Sequence, residues 1–194
     1  MKYLVFSVFV WISYATVAQP FQFYREKLDF SIQSELFELN GLYMFRNNTN
    51  DTVHSFLLYP FPQTAGLGEV TDISVDPVYP FFDESALAGF NQKAARFRVL
   101  IYPKDTAVVH VNYKQKVPNK KAEYILTSTQ AWQKPLEQAD FTLTVPFAMH
   151  LDSLSYDADS LLFGKGEVLY KWNFADFMPD RNFFVSFSSI QIKK

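Results

Sequence analysis

The chain has 194 residues, 48% of them hydrophobic and 18% aromatic, with 18 basic side chains against 20 acidic ones and no cysteine. A net charge of −2 offers no concentrated basic field for a nucleic-acid backbone. The missing cysteine excludes a lipoprotein anchor, thiol catalysis, cysteine-ligated metals and disulfide stapling.

The chain opens Met1-Lys2-Tyr3, continues through an apolar run from Leu4 to Ile12, and reaches Thr16-Val17-Ala18-Gln19. A basic start, a short apolar stretch and small residues at the end form a secretory leader. The run is shorter than the roughly 20 residues a spanning helix needs. The expected domains are therefore a signal peptide over residues 1–18, cleaved after Ala18, and a mature β-domain over residues 19–194. Loss of Lys2 leaves 17 basic residues against 20 acidic, a net charge of −3. The expected location is periplasmic or extracellular. Animal secreted domains commonly carry disulfides, so a disulfide-free exported chain fits a bacterial envelope better.

In the mature chain, Leu28, Phe30 and Ile32 alternate with polar residues and predict a first strand. Phe37, Leu39, Gly41, Tyr43 and Phe45 alternate next. The turn-forming run Asn47-Asn48-Thr49-Asn50-Asp51 follows, then Val53, Ser55, Leu57, Tyr59 and Phe61. This predicts a hairpin, closed by Pro60 and Pro62, which lack an N–H for the ladder. Two Asn-x-Thr triplets in the turn match the glycosylation acceptor pattern, but Asn is expected there for backbone reasons alone.

After the flexible connector 63–68, Thr71, Ile73 and Val75 predict a short strand. The segment 79–92 is less regular and suits a helical turn or a packed loop. Phe97, Val99 and Ile101, then a turn at 103–106, then Ala107 to Gln115 predict a second hairpin. Val117-Pro118-Asn119-Lys120-Lys121 is polar and broken by proline. It is the best place for a sheet crossover or a boundary between two lobes. Further strands are predicted around Tyr124 to Ser128, Ala139 to Val145, Val168 to Trp172 and Phe183 to Phe187. Gly164-Lys165-Gly166 marks a turn. The pattern implies an antiparallel β-sandwich of about nine or ten strands.

Few side chains suggest chemistry. His54, His110 and His150 each stand apart from the other histidines. His54 shares its strand phase with Phe56 and Leu58, which suggests partial cover. Asp152, Asp157 and Asp159 form the nearest approach to a calcium loop, but the spacing of a calcium-binding hand is missing. No nucleophile elbow, phosphate loop or dinucleotide fingerprint occurs. No catalytic residue, metal ligand or cofactor is assigned. Trp172 alternates with Val168 and Tyr170 and belongs to the core. Trp132 lies in a break between strands and is the candidate ligand-binding residue, a stacking surface for a sugar ring.

Two stretches carry a resemblance. Tyr43-Met44-Phe45-Arg46-Asn47, Asp51-Thr52 and Tyr59-Pro60-Phe61-Pro62 form the first. Tyr124 to Ser128, Trp132 and Pro135-Leu136 form the second. Together they resemble a group of exported bacterial β-sandwich proteins of uncharacterised function. The first is also similar to the β-rich domain of vault proteins and inter-alpha-trypsin inhibitor chains, with Tyr59 in place of a Phe. The resemblance implies an extracytoplasmic sandwich and carries over no catalytic residue.

The expectation is a non-enzymatic binding module of the cell envelope, with another envelope protein or a glycan as partner and no transmembrane segment in the mature chain. The rivals are a carbohydrate-binding module, a hydrolase with carboxylates assembled in space, and an outer-membrane barrel, which its short strands and ten prolines disfavour.

Overall fold

A computed structural model describes residues 20–33, 35–81 and 85–190. The signal peptide expected over residues 1–18 lies outside the described residues. The protein is all β, with thirteen strands among the described residues where the sequence pattern implies nine or ten. They are β1 (Phe21–Gln33), β2 (Leu36–Asn47), β3 (Val53–Pro60), β4 (Val70–Tyr79), β5 (Leu87–Phe90), β6 (Ala94–Ile101), β7 (Thr106–Lys116), β8 (Lys121–Tyr124), β9 (Leu136–Pro146), β10 (Met149–Leu154), β11 (Ser160–Phe163), β12 (Glu167–Phe177) and β13 (Phe183–Ser189). The additional strands include short ones, β5 and β11, with too few residues to show a period. A 3-10 helix, Thr127–Trp132, takes up Thr127 and Ser128 of the segment predicted as a strand around Tyr124 to Ser128.

One layer is a seven-stranded sheet in the order β11-β12-β9-β1-β2-β7-β4. The other layer is split into two three-stranded sheets, β3-β6-β5 and β10-β13-β8. Residues before Val117 supply β1, β2, β7 and β4 of the long sheet and all of β3-β6-β5. Residues after it supply β9, β12, β11 and all of β10-β13-β8. The segment 117–120 carries the chain from β7 in the long sheet to β8 in a small one. The two groups meet in the long sheet through β1 and β9, which run parallel.

Neither predicted hairpin forms. β2 pairs with β1 and β7, while β3 pairs with β6. Likewise β6 and β7 lie in different sheets. Alternation reports which side chains face inward, but it is blind to which edge a strand pairs through. Both turns arch across the sandwich, and Asn47 ties them together. Its buried Nδ2 donates to the carbonyls of Asp51, Ile101 and Tyr102 at 2.7, 3.3 and 3.0 Å. Its Oδ1 accepts from the Thr49 N–H at 2.8 Å.

The core lies between the layers and is rich in rings. Phe30 of the long sheet stacks on Phe183 at 4.6 Å, and Trp172 meets the same Phe183 edge-on at 5.3 Å. The indole N–H of Trp172 donates to the Tyr156 carbonyl at 3.2 Å, so burial leaves it satisfied. The outer phase of β3 is wet. His54, Phe56 and Leu58 are exposed, contrary to the partial cover expected of His54, because the far side of the β3-β6-β5 sheet has no third layer. Arg96 covers one of these rings, Phe56, at 3.9 Å. Among the described residues no helix is long and apolar enough to cross a membrane.

Candidate functional site

The split in the second layer opens a cleft. The edge strands β3 and β8 flank it, and the 3-10 helix closes one end. The floor comes from the long sheet: Phe23 of β1 with Tyr43 and Phe45 of β2. The cleft measures about 70 Å³, and none of its lining residues is charged. Seven of its thirteen lining residues are aromatic, which gives it an apolar body with a few phenol hydroxyls.

Tyr43 is the hub. Its hydroxyl lies 2.7 Å from that of Tyr59 on β3 and 3.0 Å from that of Tyr124 on β8. One phenol on the long sheet thus joins both small sheets. Gly41 permits this. A Cβ at Gly41 would lie 2.7 Å from the Tyr43 ring, so the ring occupies space any other residue would fill. Burial raises all three phenols well above their ordinary range, so they remain neutral donors and acceptors.

Beside the hub sits a residue that sequence reasoning missed. Glu26 is 1% exposed, faces Tyr43 across the β1–β2 ladder and Ala139 across β9, and its Oε1 has no hydrogen-bond partner among the described residues. Burial pushes its carboxyl up to about 8. The cause is a β-bulge between Phe23 and Arg25. Before it, Phe21 and Phe23 face inward. After it, Glu26, Leu28, Phe30 and Ile32 do. An extra residue switches the phase and turns a carboxyl into the core. The signal was legible: the inward phenylalanines change from odd to even positions, and Glu26 falls on the even set.

Trp132 lines the same cleft. It is half-buried and meets Phe21, Phe23 and Phe45 at 70°, 55° and 42°. These rings form a tilted wall and not a flat sugar platform.

The outer face of the long sheet carries a second, polar groove of about 340 Å³, lined by Asp29, Ser31, Glu38, Asn40, Asn112 and Lys114 among others. Its side chains are largely paired. Thr142 donates to Asp29 at 2.6 Å, Lys114 lies 3.5 Å from Glu38, and His110 bonds Asn40 at 2.8 Å. Of the aspartates considered for calcium, Asp152 accepts from Ser188 and Asp159 from the Asn173 N–H. Among the described residues no three His, Asp or Glu side chains gather in a way that would hold a metal ion. His150 is exposed on β10.

No family model matches the sequence, and no curated protein matches it significantly. Among solved structures, a Legionella pneumophila protein described as a "putative nutrient binding protein" superposes with a TM-score of 0.70. The match is at 14% identity and covers 88% of this chain and 67% of that one. At that identity the likeness establishes a shared fold.

Proposed function

We propose that this is an exported, non-enzymatic binding module of the cell envelope that takes a small ligand in the cleft between its two three-stranded sheets. The observation that carries this is the cleft itself. It is apolar, walled by rings, bridged by Tyr43 and floored beside an acid whose Oε1 has no partner. Binding pockets characteristically combine an apolar lining with a few placed polar groups. The fold shared with the Legionella protein, and the description that protein carries, support a binding role. The leader-like start supports export, and the resemblance to exported β-sandwich proteins agrees with it.

A ligand screen by thermal shift tests the proposal. A ligand at about 100 times its Kd stabilises a one-site protein by ~2.7 kcal/mol. Ser128 is exposed at the rim, so Ser128→Trp should fill the mouth and abolish the shift without unfolding the domain. A ligand whose shift survives that substitution binds elsewhere, and the cleft assignment fails.

The carbohydrate reading draws its support from the outer groove, whose Ser31, Asn40 and Asn112 side chains suit sugar hydroxyls. An oligosaccharide shift lost in Asn112→Ala but kept in Ser128→Trp would favour it.

A further inference from the structure

We infer that the cleft takes a small organic cation, an alkylammonium group, held by its aromatic walls and balanced by the Glu26 carboxylate beside its floor. This rests on the binding proposal above and names the ligand class. Three observations converge. Aromatic rings surround the space: Phe23, Phe45, Tyr59, Tyr124 and Trp132 are among its walls. The faces of such rings attract cations, by about 0.5–1 kcal/mol at a solvent-open site and about 2 kcal/mol where water is excluded. No basic side chain lines the cleft to repel one. Finally, Glu26 lies directly across the ladder from Tyr43, at least nine-tenths buried, with Oε1 unpartnered. A buried acid without a partner is a standing cost to the fold. A cation in the cleft would offset that cost without touching the carboxylate, because charges act over several ångströms where water is absent.

The surroundings leave Glu26 as the group that responds. The titratable side chains that interact with it are the phenols of Tyr43 on β2 and Tyr124 on β8, and Tyr59 on β3 bonds Tyr43 in turn; all three are raised by burial. β9 presents Ala139. The neighbouring Arg25 directs its guanidinium to Asp140 at 3.2 Å. Glu26 holds its proton in the empty protein at neutral pH, and an arriving cation favours the ionised form. Binding therefore releases a proton to solvent, and affinity rises with pH.

The test compares choline and tetramethylammonium with 3,3-dimethylbutanol, which has choline's shape but no charge. Calorimetric titrations of the purified protein run between pH 6 and 9, in buffers of different ionisation enthalpy. The expected result is saturable binding of the cations at least about tenfold tighter than the alcohol, strengthening with pH and releasing a proton. Glu26→Gln should weaken the cations about tenfold, abolish the proton release and leave the alcohol unchanged. A melting curve confirms that the variant is folded. Equal binding of alcohol and cation, pH-independent binding, or an unaffected Glu26→Gln protein overturns the inference. Absence of binding by every probe overturns it too. A different ligand whose thermal shift is lost in Ser128→Trp would leave the broader binding proposal standing.

Discussion

Strand β1 carries acids on both faces, and the two faces treat them differently. On the outer face Asp29 accepts from Thr142 and lies 3.8 Å from Lys27. On the neighbouring strand β9, Asp140 bonds Arg25, Gln138 and Asn173. Water reaches all of these, so each pair contributes little and tolerates change. On the inner face Glu26 has neither water nor a partner for Oε1. The same residue class is thus ordinary on one side of a strand and costly on the other, and the bulge after Phe23 decides which. An unpaired acid kept in a core otherwise packed with rings points to a role beyond folding.

Four measurements probe the difference between the two faces. The largest effect is expected at the inner packing itself. Phe183→Ala removes the ring that stacks on Phe30 and meets Trp172, and should cost about 3–5 kcal/mol in denaturant unfolding.

Next comes the pH dependence of Glu26. Its folded value of about 8 lies above the ordinary 4.5. Between these values the folded protein holds a proton that the unfolded chain has lost. Stability is therefore full below about pH 4.5 and falls as pH rises towards 8, by up to ~1.4 kcal/mol per unit. Glu26→Gln should flatten that slope. A wild-type stability that stays flat over this range, as in Glu26→Gln, would show that burial does not hold the proton on this carboxyl.

Third, Tyr43→Phe deletes both hydroxyl contacts and strands the Tyr59 and Tyr124 hydroxyls. A loss of about 1–3 kcal/mol is expected by chemical denaturation. The smallest effect belongs to the outer face. Asp140→Asn should cost under about 1 kcal/mol, since Arg25 and Asp140 are 41% and 26% exposed. If Asp140→Asn proved as damaging as Tyr43→Phe, the distinction between the faces would disappear.

The alternation of β1, β2, β7, β9 and β13 identified the inward rows, and Trp172 proved as buried as its phase implies. Pairing was not legible. The strands flanking Asn47 and those flanking Lys104 read as hairpins because a polar turn looks alike whether it reverses a chain within a sheet or carries it over to another. What separates the cases is the bonding of Asn47 to a turn some 55 residues away, which no local pattern contains. The candidate site was half legible. Trp132 stood out by type, but Glu26 hid in a phase shift, and the phenol hub joins residues 16 and 81 positions apart.

The Tyr43 hydroxyl has one more consequence. Because it grips strands on both banks of the cleft, the banks cannot separate without losing a bond to one of them. The aperture is thus fixed by a single oxygen atom. Spreading the sheets would cost one of these bonds, so the way in is the mouth, where Ser128 and Leu58 stand exposed.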